Sequence, residues 1–194
     1  MELDTELHEL GPGRANVIAV AHGSGDGGTL MFNAHMDVVG AGGMTQPCTP
    51  RIDGTRLYGR GAYDVKASLA AIMLAGREAV RLDPRGNVIV TAVADEELAS
   101  IGVRDVVRHM GADAEIVAEP TGLDHCIAHK AFVWLEVEAH GVASLGAGGW
   151  MDSAFLGAAG IPTVIFGPDV EWVDLVSATR TASAQLGIIV EFCA

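Results

Sequence analysis

The sequence predicts an α/β domain with a mixed or parallel sheet, and three observations support this. Short apolar runs rich in β-branched residues alternate with longer stretches whose apolar residues recur at helical spacing. Apolar residues make up 49 % of the chain and charged residues 19 %, the proportions of a globular protein with a core. A chain of 194 residues can bury a substantial core and suits one domain, so residues 1–194 are treated as a single domain.

The first two predicted strands lie on either side of a glycine-rich segment. Asn16–Ala21 (NVIAVA) and Thr29–Ala34 (TLMFNA) are short, apolar and rich in strand-forming residues. The segment between them, Gly23–Gly28 (GSGDGG), predicts a hairpin loop. A phosphate-binding loop would need a helix directly after it, and a strand follows instead.

The middle of the chain predicts a long helix followed by a buried strand. In Asp64–Leu82 the apolar side chains recur at helical spacing, and Pro84 and Gly86 end the pattern. The residues that share the predicted buried face are Val65, Leu69, Ile72, Met73, Gly76 and Val80. Asn87–Ala94 (NVIVTAVA) is almost continuously apolar, which predicts a strand covered on both faces.

The rest of the chain continues the alternation of helices and strands. The predicted elements are a helix at Ser100–Met110, strands at Ala114–Ala118 and Ala131–Ala139, a helix at Met151–Ala159, a strand at Thr163–Phe166 and a closing helix at Trp172–Phe192. The small, uncharged segment Gly141–Gly149 predicts a linker or junction.

Charge and cysteine content exclude several classes of function. The net charge is −13 and no run of Lys or Arg occurs, which argues against nucleic acid or an anionic membrane surface as a partner. The longest apolar runs are of strand length, so no membrane-spanning helix is predicted. Cys48, Cys126 and Cys193 are odd in number and far apart, which indicates a reducing compartment. Met1–Leu10 has no apolar stretch, and we expect a cytoplasmic protein.

Polar residues that could carry chemistry follow the predicted strands. His35 and Asp37 end the second strand, and the two-residue period of a strand points both side chains to one face. A histidine that binds a metal commonly has a carboxylate beside its other ring nitrogen, a role that suits Asp37. Taken alone, a His–x–Asp pair is more often an ordinary loop contact than a metal site.

Further carboxylates occur at comparable places. Asp64 opens the long predicted helix, where it could also be a simple N-cap. Asp95, Glu96 and Glu97 follow the buried strand, as a solvated acidic turn or as carboxylates that a cation compensates. Glu119 ends another apolar run and precedes a proline.

Taken together, these residues predict a metal site. The carboxyl ends of strands in an open α/β sheet line the ligand crevice. One histidine with several carboxylates suits Zn²⁺, with Co²⁺ or Mn²⁺ as alternatives.

Four motifs, in this order and spacing, resemble a known family. NAHMDVV, YGRGAYDVKASLAA, VADEELASIGV and AEPTGL are similar to motifs of the zinc-dependent family that contains acetylornithine deacetylase, succinyl-diaminopimelate desuccinylase, aminoacylase and glutamate carboxypeptidase. The later segments HKAFVWLEVEAHG, MDSAFLGAAGIPTVIFGP and VEWVDL resemble its downstream blocks. The resemblance implies a three-layer fold of the zinc exopeptidase type, with helices on both faces of a mixed sheet. It also implies hydrolysis of the amide bond of an N-acyl amino acid or small peptide at a two-zinc site.

Carried over by motif, the resemblance gives each site residue a role. It implies that His35 and Glu119 bind one zinc, that Glu97 binds the second and that Asp64 bridges the two. Glu96 would be the general base and Asp37 would support His35. The resemblance also implies a cis peptide between Asp64 and Val65.

The sequence departs from the family pattern in ways that affect function. The family's lid or dimerisation domain would be inserted at about residues 141–149 and is absent there, so we expect a monomer. No histidine follows His140, so the family's last zinc ligand has no counterpart. We therefore expect weak or absent turnover and one retained zinc site. A non-catalytic zinc-binding scaffold, a degenerate or minimised enzyme domain and a domain that only associates with a partner remain alternatives.

Overall fold

The computed structural model describes residues 3–126, 155–156, 159–165 and 173–193. Along the chain the elements are β1 (Asp4–Gly11), β2 (Arg14–Ala21), β3 (Leu30–His35), β4 (Arg51–Asp53), β5 (Arg56–Tyr58), a π-helical turn (Ala62–Lys66), α1 (Ala67–Leu82), β6 (Val88–Val93), α2 (Ile101–His109), β7 (Ala114–Val117), β8 (Thr163–Ile165), β9 (Val173–Asp174) and α3 (Leu175–Phe192). None of the described helices is long and apolar enough to cross a membrane.

The central sheet is mixed, as the sequence predicts. Its order is β1-β2-β6-β3-β7-β8. β3 runs parallel to β6 and β7, and β8 is parallel to β7. β2 is antiparallel to both β1 and β6. The carboxyl ends of β6, β3 and β7 consequently meet at one edge of the sheet.

The strand alternation divides the core into two faces and produces three layers. On one face Phe32 and Val90 form a buried cluster with Ile72 of α1 and Ile189 of α3. The opposite face of the sheet belongs to another cluster, in which Met31, Ile89 and Val93 meet Val106 of α2. Every residue of β3 and β6 is buried, so the predicted strand at Asn87–Ala94, with helices on both sides, is confirmed.

The predicted hairpin between the first two apolar strands is wrong. β6 lies between β2 and β3 in the sheet. The glycine-rich segment instead packs against the loop that leads into β6. A Cβ atom on Gly27 would lie 2.6 Å from the backbone nitrogen of Gly86, so this crossing leaves no room for a side chain. The glycines serve a close backbone approach and not a tight hairpin turn.

The long predicted helix begins later than expected. Regular α-helix starts at Ala67, after the π-helical turn in which Asp64 has extended backbone angles. Asp64 is therefore not an N-cap of α1, whose N-cap residue Lys66 makes no side-chain capping bond. The peptide between Asp64 and Val65 is cis, as the family resemblance implied.

Sequence patterning missed the polar strands. β1 is an edge strand whose side chains are largely exposed, and β4, β5 and β9 form a separate small sheet. The closing helix is shorter than predicted, because β9 precedes it. The predicted strand at Ala131–Ala139, the junction at Gly141–Gly149 and most of the predicted helix at Met151–Ala159 lie outside the described residues.

Candidate metal centre

Three neighbouring parallel strands deliver the predicted site residues to one edge of the sheet. His35 is the last residue of β3 and pairs with Val93, just before the loop that carries Glu96 and Glu97. On the other side β3 pairs with β7, and Glu119 follows that strand by two residues. Parallel register thus brings together side chains that are far apart in the sequence.

His35 is almost completely buried, at 2 % exposure, and its ring is held from both sides. Nδ1 lies 3.1 Å from the backbone carbonyl oxygen of Asp37 and 3.7 Å from its carboxylate. The carbonyl is therefore the hydrogen-bond partner of Nδ1, and the carboxylate acts through its charge. Nε2 faces Oδ1 of Asp64 at 2.9 Å and Oε1 of Glu119 at 3.8 Å. The 2.9 Å contact makes Nε2 a donor to the Asp64 carboxylate, whereas a ring with its proton on Nδ1 alone would offer the Nε2 lone pair to a cation.

Asp37 ties the loop after β3 to the loop after β6. Its two carboxylate oxygens accept the backbone N–H groups of Glu96 and Glu97, each at 3.1 Å. Burial acts to raise the pKa of this carboxyl, but the His35 ring and the two backbone donors outweigh it and hold the pKa at about 2. Asp37 therefore stays charged and fixes the position of the Glu96–Glu97 segment.

Three potential ligands converge in front of the His35 ring. His35, Asp64 and Glu97 each offer one ligand atom, and these atoms lie within 4.8 Å of one another. The Glu97 carboxylate is steadied by the backbone N–H of Val39, which lies 3.3 Å from its Oε1. Glu119 is buried beside the same imidazole. The structure thus brings together the four residues that the sequence predicts as metal ligands.

The electrostatics of this group suit a cation. Burial alone would lower the pKa of His35, but the surrounding carboxylates raise it to about 11, with Asp37 and Asp64 as the larger contributors. For the Glu97 carboxyl, burial raises the pKa, and the negative charge of Asp64 adds to the increase. Among the described residues, the His35 imidazolium faces the carboxylates of Asp37, Asp64 and Glu119. A divalent ion would add positive charge to this group, and the nitrogen and oxygen donors fit Zn²⁺.

Of the three adjacent acidic residues, Asp95 does not belong to the donor group. It is buried, and its Oδ1 pairs with Arg14 of β2 at 3.3 Å. The sequence left open a solvated turn or a compensating cation for these three residues, and for Asp95 the partner is the Arg14 side chain. Glu96 is also buried, and its backbone N–H is one of the two that donate to the Asp37 carboxylate.

Sequence reasoning missed the residue that anchors the loop after β6. Asn16 is fully buried in β2, and its Oδ1 accepts the N–H of Ala94 at 3.1 Å. Its Nδ2 donates to the carbonyl oxygen of Gly102 at 2.8 Å. Asn16 thus binds the chain on both sides of Glu96 and Glu97. Its position in an apolar strand is the only sequence signal of this role.

A second missed contact supports the turn that carries Asp64. The ammonium of Lys66 donates to the backbone carbonyl oxygen of Met36, between His35 and Asp37. This bond links the π-helical turn to the loop after β3, so the two segments that face each other across the site share a direct contact.

The fold and the site define an α/β domain with a carboxylate-rich candidate metal centre at the carboxyl edge of its sheet. The chain belongs to peptidase family M20/M25/M40, whose family model matches residues 31–143. That range contains all six predicted site residues, and the resemblance inferred from the sequence motifs is confirmed.

Curated relatives agree with the assignment of the chain to this family. Succinyl-diaminopimelate desuccinylase of Leptothrix cholodnii is 39 % identical over 138 residues, which cover 62 % of this chain and 36 % of that protein. The chain spans about a third of the length of the curated relatives it matches.

Two crystal structures share the fold. An M20 family metallo-carboxypeptidase of Sulfolobus solfataricus has a TM-score of 0.53 and 25 % identity, over 62 % of this chain and 29 % of that one. A tripeptidase of Staphylococcus aureus has a TM-score of 0.72 over 98 % of this chain and 89 % of that one. Its sequence identity is 14 %, so the likeness concerns the fold alone.

Proposed function

We propose that this chain is a metal-dependent hydrolase domain that cleaves the amide bond of an N-acyl amino acid or small peptide. The observation that carries the proposal is the convergence of His35, Asp64 and Glu97, whose ligand atoms lie within 4.8 Å of one another at the carboxyl edge of the sheet. Membership in a peptidase family supports the same class of reaction.

The proposed metal ligands follow from the donor atoms at this edge. His35 and Glu119 would hold one Zn²⁺, Glu97 a second, and Asp64 would contact both, with Co²⁺ or Mn²⁺ as alternatives. When bound, such an ion polarises the scissile carbonyl and makes a nearby water more acidic. The buried imidazole and the surplus of carboxylates support this assignment.

The remaining steps belong to side chains of this chain. Glu96 would act as the general base that takes a proton from the attacking water and passes it to the leaving amine. Asp37 would be a positioning residue, because its carboxylate holds the backbone of both Glu96 and Glu97. Its backbone carbonyl would keep the proton of His35 on Nδ1 and leave Nε2 free for the ion.

The relatives suggest which acyl compounds should be tried first. Curated proteins similar to this chain include succinyl-diaminopimelate desuccinylases. We propose N-acyl amino acids, with succinyl and acetyl groups as the acyl part, ahead of dipeptides. The M20 family metallo-carboxypeptidase of Sulfolobus solfataricus keeps small peptides in the set of substrates to assay.

A hydrolysis assay with a single substitution tests this function. The full chain, supplied with Zn²⁺, should release the free amine from at least one compound of this set. Glu96→Gln should lower the rate by about 10²–10⁴-fold, because it removes the general base and keeps the side-chain shape. Bound zinc, measured by elemental analysis, should not change. Glu9→Gln, an exposed substitution on β1, is the matched control. Equal turnover by the Glu96 and Glu9 variants would contradict the proposed role.

A non-catalytic metal-binding scaffold is the second candidate. The observation that favours it is that no histidine occurs after His140, which leaves Asp64 and Glu97 as the proposed ligands of a second ion. Stoichiometric zinc with no turnover on any compound of the set would support the scaffold. A chain without stoichiometric zinc would contradict both candidates.

A further inference from the structure

A second group of metal-binding side chains lies away from the candidate metal centre. His8 comes from the edge strand β1, and Asp105 and His109 come from α2. Nδ1 of His8 lies 2.9 Å from Oδ2 of Asp105, and Nδ1 of His109 lies 3.0 Å from Oδ1 of the same carboxylate. The three residues each offer one ligand atom, and these atoms lie within 4.8 Å of one another.

The carboxylate at the middle of this cluster is held in place by the fold. Asn16, which pairs with His8 in the β1–β2 ladder, also donates from Nδ2 to Oδ2 of Asp105 at 3.2 Å. Because Asn16 is fully buried, it fixes the carboxylate relative to the sheet. His109 follows Asp105 by one helical turn, so the helix itself brings their side chains to the same face.

The donor set matches what borderline divalent cations take from proteins. Two imidazoles and one carboxylate are common ligands of Zn²⁺, and a site with three protein ligands leaves further positions to water. The cluster is accessible from solvent, since the His109 side chain is 56 % exposed. Glu6 adds negative charge beside it, with Oε2 at 3.3 Å from Nε2 of His8. The imidazole rings of His8 and His109 meet edge to face, with centroids 5.5 Å apart.

We propose that His8, Asp105 and His109 form a second, surface site for a divalent cation of the Zn²⁺ type, which clips the edge strand β1 to α2. The site shares no residue with the candidate metal centre and does not depend on the proposed hydrolase function. A cation there takes one ligand atom from each residue, in place of the hydrogen bond from His8 to the Asp105 carboxylate and the ion-pair contact of His109 with it.

The test must separate this site from the candidate metal centre, because both would take up zinc. Side-chain nitrogen NMR of the histidines in the full chain makes the separation, since each imidazole reports its own ligand. During a Zn²⁺ titration the His8 and His109 signals should shift together and saturate at one equivalent for this site. If added Zn²⁺ shifts the His35 signal and leaves the His8 and His109 signals unchanged, the proposal is overturned.

Two substitutions and a matched control complete the experiment. His109→Gln and Asp105→Asn should each weaken the zinc response of His8 by at least about tenfold, since loss of even a supporting residue costs a metal site about 10–100-fold in affinity. His22→Gln removes an exposed histidine that pairs only with Asp4 among the described contacts, and it should leave the response unchanged. Because His109 is largely exposed, its variant should fold normally. An unaltered His8 response in the His109 variant would overturn the site.

Discussion

At the scale of single residues, Asp37 has the most consequential contacts in the candidate metal centre. It touches the loop after β6 through both carboxylate oxygens and the His35 ring through its backbone carbonyl. Asp37→Asn removes the charge and replaces one acceptor oxygen with an amide nitrogen that cannot accept an N–H. We expect zinc affinity at the centre to fall by about 10–100-fold, the usual effect of losing a residue that orients a ligand. The zinc affinity of the wild type and of the variant is measured by competition with a chelator of known affinity.

The control for this substitution is Asp53→Asn. Asp53 is an exposed aspartate whose pairing with Arg51 lies in the small sheet. The Asp53→Asn substitution should leave the zinc affinity unchanged. Wild-type affinity in the Asp37 variant would mean that other contacts hold His35 and the Glu96–Glu97 segment.

Burial also separates the reactivity of the cysteines. Cys193 is fully buried and its pKa is raised by that burial, whereas Cys48 is exposed. Because the thiolate is the reactive form, Cys48 should react with iodoacetamide at pH 8 and Cys193 should react only after unfolding. Peptide mass spectrometry after brief labelling, with and without urea, measures both sites. Comparable labelling of the two in the folded protein would contradict the packing of Cys193.

At the scale of elements, α1 shows how helical periodicity translates into stability. Ile72 is fully buried in the cluster beneath the sheet, while its neighbour Met73 is 57 % exposed. Ile72→Ala should lower the free energy of unfolding by about 2–5 kcal/mol, because it leaves a cavity among Phe32, Val90 and the other core residues. Met73→Ala should change it by less than about 0.5 kcal/mol.

Urea denaturation of both variants measures this difference. The sequence predicts Met73 on the buried face with Ile72, and its 57 % exposure shows that this prediction is wrong, because Met73 points away from the core that covers Ile72. Similar losses of stability in the two variants would show that Met73 is covered in solution.

Some elements can be predicted from the apolar pattern of the sequence, and others cannot. β3 and β6 are buried on both faces, and their apolar runs identify them from sequence. β1 is mostly polar and lies at an exposed edge of the sheet, where burial imposes no hydrophobic pattern. The π-helical turn that carries Asp64 follows the apolar spacing of α1 closely enough to be taken for its first turn.

At the scale of the whole molecule, one backbone crossing joins three distant parts of the chain. Ser24 and Gly25 donate N–H groups to the carbonyl oxygens of Pro84 and Arg85, at 2.8 and 2.9 Å. The N–H groups of Arg85 and Gly86 in turn bond to the carbonyl oxygen of Cys193, at 2.9 and 3.0 Å. The crossing therefore connects the loop after β2, the loop before β6 and the chain after α3.

Gly86→Ala tests how tightly this crossing is packed. A Cβ atom on Gly86 would overlap the carbonyl oxygen of Gly28 and approach the carbonyl carbon of Gly27 to 2.7 Å. We expect a loss of about 1–3 kcal/mol in the free energy of unfolding, as for other overpacked sites. Gly43→Ala, where a Cβ would meet nothing within 4 Å, should be within about 0.5 kcal/mol of the wild type. The comparison is made from urea unfolding curves, and equal stability of the two variants would argue against a close crossing.

The fold class and the buried strands could be predicted from the sequence, because both depend on apolar patterns among neighbouring residues. The same patterns placed the polar site residues at the ends of strands. The position of β6 between β2 and β3, the pairing of Arg14 with Asp95 and the anchoring of the Glu96–Glu97 loop by Asn16 became known from the folded structure alone. Each of these depends on contacts between residues about 60 or more positions apart, for which local periodicity carries no signal.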